Sequence, residues 1–302
     1  MHKLISAIIV GAAFAVAAGA HAATTVISSG GVTAGITDGG IFDNTGAPTG
    51  SLLNPGLQYD GVEFVAIDNP ASWWTIESST VNATAYNGLS AGYGPNTNPD
   101  PLGSATIGPF AGNSVALTYA FGGLTFVQTS AITAPNVLSV TVTLTNNGPE
   151  MDDVKWGVGF DPDQGGSGNN ITSNTILGQG NSAAVSALDA LYGTNLGVTL
   201  ANTTSASAFA IAAYINPANC CSPVDPTVAL GAGQAVSFNT LADDSISLAY
   251  DLGTIGTGQT VTLGYAYIFA VPEPEAYAMM MAGLGVIGFA ARRRKAALRQ
   301  AV

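Results

Sequence analysis

The clearest signal along the chain is a two-residue alternation of apolar and polar positions. Leu138-Ser139-Val140-Thr141-Val142-Thr143-Leu144-Thr145 sets aliphatic against hydroxyl side chains without a fault, the pattern of a half-buried strand. Asn146-Asn147-Gly148-Pro149 interrupts it with turn residues. Val154-Lys155-Trp156-Gly157-Val158-Gly159-Phe160 then resumes, so the two runs predict neighbouring, paired strands. Further strands are predicted at 61–67, 73–78, 114–120, 124–130, 208–215, 245–250 and 260–269. In the last of these Val261, Leu263, Tyr265, Tyr267 and Phe269 fall on one face. No segment between 24 and 270 makes a long amphipathic helix, and the best short candidate is 182–192. Connections at 92–102, 161–170 and 217–226 are rich in Gly, Asn, Pro and Thr. The pattern predicts an all-β fold, a large antiparallel two-sheet sandwich.

The two ends follow other rules. His2 and Lys3 precede an apolar run at 4–18, and Ala20-His21-Ala22 supplies a small-residue cleavage site. That is a secretory signal peptide over 1–22, which would engage the Sec translocon and be removed. At the other end Val271, Pro272, Glu273 and Pro274 lead into 276–291, 16 residues without a charge. As a helix this run is about 24 Å long, slightly short of a ~30 Å hydrocarbon core. Arg292, Arg293, Arg294 and Lys295 follow. The positive-inside bias places these cations in the cytoplasm as a stop-transfer cluster, with the prolines on the far side. Each proline fixes φ and lacks an N–H, which keeps the segment extended and readable.

This tail resembles the PEP-CTERM sorting signal of exported bacterial proteins, through Val271-Pro272-Glu273-Pro274-Glu275, the Gly-rich apolar run and the four cations. Ala276 departs from it, standing where that family often has Thr or Ser. The resemblance implies an exosortase substrate: a precursor anchored in the inner membrane, cut near the motif by a membrane transpeptidase-like enzyme, with the outer domain displayed at the surface or released. The chain therefore divides into a signal peptide (1–22), a β-rich extracellular domain (23–270) and a sorting tail (271–302).

Charge sharpens this reading. Residues 23–270 carry 17 acids and a single base, Lys155, for a formal charge of −16 against −12 for the whole chain. Such a surface repels phosphate backbones, so nucleic acid is not an expected partner. It suits an exterior rich in calcium, where divalent cations bridge carboxylates. Both histidines, His2 and His21, fall in the signal peptide. Their absence from 23–270 excludes Ser-His-Asp and Cys-His catalysis and His-ligated zinc there. The two cysteines are adjacent, Cys220-Cys221; they can form a vicinal disulfide, pair with another chain or stay free.

Two constellations could bind ligands. Asp161-Pro162-Asp163-Gln164-Gly165-Gly166-Ser167-Gly168-Asn169-Asn170 places two carboxylates two residues apart before glycines and amide oxygens. That donor set can wrap a calcium ion, or it is simply a solvated acidic turn. Asp152 and Asp153 sit at the other end of the same predicted strand and cannot reach it. Trp73-Trp74 could offer one indole for stacking on sugar, extended by Tyr86 and Tyr93; the alternative is that both rings are core. The stretch 138–146, 154–160 and Asp161-Pro162-Asp163-Gln164 is similar to a strand pair and loop of galactose-mutarotase-like super-sandwich modules. That resemblance implies a scaffold used for binding or processing sugars; fold analogy alone does not carry function. The expected function is an exported cell-envelope or matrix protein, structural or interacting, associated with exopolysaccharide in biofilm and not an enzyme. The alternatives are a carbohydrate-binding module stabilised by calcium and, behind it, a secreted glycan-active enzyme.

Overall fold

The computed structural model describes residues 24–42, 55–67, 71–78, 82–87, 106–107, 112–121, 123–165, 171–190, 196–205, 209–217 and 219–270. The segments predicted as signal peptide and sorting helix lie outside these; among the described residues no helix is long and apolar enough to cross a membrane. In chain order the strands are β1 (Thr24–Ser29), β2 (Val32–Thr37), β3 (Leu57–Tyr59), β4 (Val62–Glu63), β5 (Ser72–Glu77), β6 (Asn82–Asn87), β7 (Thr106–Ile107), β8 (Ser114–Phe121) and β9 (Leu124–Ala134). There follow β10 (Val137–Asn146), β11 (Met151–Phe160), β12 (Thr172–Gly178), β13 (Ala184–Asp189), β14 (Gly197–Asn202) and β15 (Ala210–Asn216). After the helix α1 (Pro226–Gly231) come β16 (Asn239–Ala242), β17 (Ser245–Ile255) and β18 (Thr260–Phe269).

Three antiparallel sheets result: a nine-stranded sheet β16-β12-β13-β14-β18-β10-β9-β8-β7, a five-stranded sheet β15-β17-β11-β5-β6, and a four-stranded sheet β1-β2-β3-β4. The all-β expectation holds. The period-2 patterns become buried faces: Leu138, Val140, Val142 and Leu144 of β10 and Leu263, Tyr265, Tyr267 and Phe269 of β18 are all buried. The five-stranded sheet meets the nine-stranded one through aromatic rings. Trp74 stacks on Trp156 at 5.0 Å and 11°, and meets Phe126 edge-on at 5.2 Å. Tyr119 stacks on Phe126 at 4.7 Å. The four-stranded sheet joins the same core where Tyr59 stacks on Phe269 at 5.3 Å.

The outer face of the five-stranded sheet is also covered. Trp73, Ala71, Tyr214, Val224, Ala229 and Ala249 form a second, smaller apolar cluster under α1 and the loop before it. Glycines on β11 make room for it. Gly159 lies opposite Trp73, and a Cβ there would come within 2.8 Å of the Trp73 ring and 2.7 Å of the Ile246 carbonyl oxygen.

Three sequence expectations are corrected. The runs ending at Thr145 and starting at Val154 do not pair: β10 lies between β9 and β18, whereas β11 lies between β5 and β17. The intervening turn is an arch between sheets, held by Asn146. Its amide donates to the carbonyls of Pro149 at 2.6 Å and Ile255 at 2.8 Å, and its side-chain oxygen accepts from Gly148 N–H at 2.9 Å. The best short helix candidate, 182–192, instead contains strand β13 over Ala184–Asp189, where Val185 and Ala187 face the core, and 191–192 lie outside the described residues; the alanines and leucine also satisfy a helical period, and sheet packing decided between the two. The strand expected at 61–67 is hydrogen-bonded as a ladder only over Val62–Glu63.

Asn146 is fully buried, and Asn146→Ala leaves two carbonyls without their donor. The expected cost is about 2–4 kcal/mol, read as a lower urea midpoint. Asn146→Asp should lose as much, because a carboxylate accepts but cannot donate.

Candidate functional site

Pairing register brings the acidic residues together at one end of the five-stranded sheet. Phe160, the last residue of β11, lies opposite Ile246 on β17 and Ser72 on β5. Ile215 of β15 faces Ile246 from the other side. The residues just beyond these strand ends must therefore meet: Asp161-Pro162-Asp163-Gln164 after β11, Asp243-Asp244 before β17, and Asn219-Cys220-Cys221 after β15. The first loop is fixed by its backbone. Asp161 N–H donates to Ala71 at 2.9 Å, Asp163 N–H to Phe64 at 3.0 Å and Gly165 N–H to Glu63 at 2.8 Å. Pro162, which has no N–H to satisfy, sits between two of those donors. Gln164 Nε2 reaches across to the Ala187 carbonyl of the nine-stranded sheet at 3.1 Å. On the opposing turn, Ser245 Oγ donates to Asn219 O at 3.1 Å.

Carboxylate oxygens of Asp161, Asp163 and Asp243 lie within 4.8 Å of one another. Asp161 and Asp163 are 5% and 4% exposed, Gln164 2% and Asp244 4%; Asp243 is half-buried. Burial lifts the Asp161 carboxyl well above the usual carboxylate range, and the charges of Asp163, Asp243 and Asp244 lift it further. Asp163 is pushed up to about 7, by burial first and then by Asp243. Among the described residues, Oδ1 of Asp163, Oε1 of Gln164 and Oδ2 of Asp244 are buried without a hydrogen-bond partner.

Glu63, whose backbone carbonyl accepts from Gly165 N–H of this same loop, shows how this fold treats an ordinary buried carboxylate. Its oxygens accept from Leu57 N–H at 2.7 Å, Gly56 N–H at 3.0 Å and Gln58 Nε2 at 3.1 Å. Burial still raises its proton affinity, but hydrogen bonds from Leu57, Gly56, Gln58 and Val65 oppose the rise. Asp163 has no such donors among the described residues. The described residues include a single base. Lys155, the one base in 23–270, is paired with Asp153 at 2.6 Å. It stands six residues upstream on β11, roughly 20 Å along an extended chain.

Cys220 and Cys221 are joined to each other, which selects one of the three outcomes left open by the sequence. Cys221 Sγ approaches Asp161 Oδ2 at 3.5 Å. A disulfide sulfur carries no proton, so the pair lines the acidic cluster without offering thiolate ligands.

The other sequence candidates fall elsewhere. Trp73 and Trp74 are each 1% exposed, so neither presents a ring to a sugar. Strand β5 lies between β11 and β6 and both its faces are covered, one by the main core and the other by the cluster under α1. Tyr93 and the side chain of Tyr86 lie outside the described residues, as do 166–170 of the acidic loop and the sorting tail from Val271 to Lys295 and beyond. Asp152 and Asp153 sit at the far end of β11, as the sequence implied. Asp243 and Asp244 were not singled out by sequence reasoning. Their one signal, two adjacent acids before an alternating run, acquires meaning only when β17 is known to pair with β11.

The raised proton affinity of Asp163 fixes a sign for pH dependence. Its folded value is about 7 against an ordinary 3.8, so the folded state holds a proton that the unfolded chain has released. Its stability contribution is fully present below about pH 4 and is lost as pH rises toward 7. In chelator, wild type should therefore lose stability relative to Asp163→Asn across that window, by up to roughly 4 kcal/mol, measured by urea unfolding at a series of pH values.

None of the curated proteins matches the sequence. Among solved structures, one similar chain is a protein described as an aldose 1-epimerase from Escherichia coli K12, at 13% identity and TM-score 0.42, covering 83% of this chain and 99% of that one. A polysaccharide lyase aligns at 14% identity and TM-score 0.38 over 80% of this chain and 33% of its own. The heparan sulfate lyase HepC of Pedobacter heparinus aligns at 10% identity and TM-score 0.32 over 55% and 22%. Residues 270–295 match the model of the PEP-CTERM protein-sorting motif. The domain's final strand thus runs straight into this signal, and the chain is an exported protein carrying a PEP-CTERM sorting motif, a substrate for an exosortase-type enzyme.

Proposed function

We propose that this chain is a non-catalytic cell-envelope or extracellular-matrix protein with a structural or interaction role alongside exopolysaccharide. The signal peptide delivers it through the Sec translocon. The tail holds the precursor in the inner membrane until the sorting enzyme acts on it, after which the β domain is displayed or released. The observation that carries this reading is the junction at residue 270. Phe269 N–H donates to Asn136 O at 3.0 Å and Ala270 N–H to Gly197 O at 2.8 Å, and Asn136 Nδ2 donates to Phe269 O at 2.9 Å. The folded domain is closed up to the residue at which the sorting match begins, so cleavage beyond it leaves every described strand intact. A domain bearing 17 acids and one base is also suited to a hydrated polymer matrix bridged by divalent ions. Asp161 and Asp163 lend little to glycan chemistry: both are buried, whereas glycoside hydrolysis needs two carboxyls flanking an open cleft.

Fractionation of the native host, with mass spectrometry of both mature termini, tests this. The expected product begins near Ala23, ends close to Pro274 and sediments with envelope or matrix polysaccharide. A Pro272→Ala, Pro274→Ala double variant should accumulate as membrane-bound precursor. Full-length wild type found dissolved in the cytosol with both ends intact would overturn the proposal.

A further inference from the structure

We propose that Asp161, Asp163 and Asp243 form a calcium-binding site that clamps the end of the five-stranded sheet. The loop pair is strongly anionic. Three carboxylates converge within 4.8 Å, a fourth, Asp244, adjoins them in sequence, and the only base of the domain is engaged at the far end of β11. An independent observation points to a ligand. Asp163 is 4% exposed and directed into the cluster, yet its Oδ1 has no partner among the described residues, while Glu63 close by is fully supplied with donors. A buried oxygen without a donor is destabilising, and more so when charged. The fold has kept several such oxygens in one place.

The donor chemistry selects the ion. All the ligand atoms are oxygens, because no histidine occurs in 23–270 and the two cysteines are bonded to each other; hard cations are therefore favoured over zinc or copper. Magnesium gives up its waters reluctantly, so a site whose carboxylates Asp161 and Asp163 are almost wholly buried suits calcium better. Half-buried Asp243 marks the side by which it enters. The proposal is independent of the sorting reading, since it concerns only residues within the β domain.

The test uses the full chain in detergent, stripped with chelator and titrated with calcium chloride by calorimetry and thermal unfolding. One calcium per chain is expected, with Tm rising roughly 5–10 °C at a hundred times Kd. Magnesium should bind at least about tenfold more weakly, a difference of about 1.4 kcal/mol. Asp163→Asn should abolish the heat and the Tm rise, and Asp243→Asn should weaken binding by about tenfold or more. Exposed Glu150→Gln should change neither. In chelator Asp163→Asn should melt no lower than wild type, which separates lost binding from lost folding. Should that variant fail to fold, Asp243→Asn on the half-exposed turn carries the test. No calcium response in wild type, a response that survives these aspartate variants, or a loss shared by Glu150→Gln would overturn the site.

Discussion

The contact on which the rest of the architecture depends is the interlock of Trp74 and Trp156 with Phe126 and Tyr119. Two indoles lie flat on one another across the β5–β11 pair, and rings from β8 and β9 meet them from the opposite sheet. Aromatic side chains bury large areas and prefer such offset and edge-on geometries, so this cluster fixes both the spacing of the sheets and the rotational setting of one against the other. The Trp74 indole N–H also donates to Gly39 O at 2.8 Å, tying the segment after β2 to the same centre. Once the sheets are set in this way, the end of β11 has one position, and the acidic loop that follows it has little freedom.

Much of this was legible in the sequence, for a physical reason. Strands with one wet and one dry face announce themselves by alternation, which is why β10 and β18 were read nearly to the residue. Strands buried on both faces do not alternate: β5 carries Trp73 and Trp74 in succession because each face of its sheet has its own apolar cover. A sequence shows two aromatic residues side by side and cannot show that a six-residue helix will roof one of them. The partner of β10 was misread for a related reason. A turn containing Asn, Gly and Pro suits both a hairpin and an arch between sheets, and only the bonds of the Asn146 amide to Pro149 and Ile255 distinguish them.

The acidic centre divides in the same manner. Asp161 and Asp163 could be picked out because a local spacing of two joins them. Asp243 and Asp244 could not, since their proximity is a consequence of non-local register between β11 and β17. The same register brings the Cys220–Cys221 pair alongside, so a feature with no sequence neighbour of obvious chemistry becomes a wall of the acidic cluster. In a domain with one base, any convergence of carboxylates must be neutralised from outside, by protons or by metal ions. The composition stated that constraint from the start, and the fold shows where it falls.

The position of β18 has a mechanical consequence. It lies inside the nine-stranded sheet, between β14 and β10, with ladder hydrogen bonds along both edges. Traction applied through residue 271 would act along the strand and load both ladders in shear, rather than opening an exposed border one bond at a time. A domain whose exit point is built this way can bear a pull at that point while its interior keeps its shape.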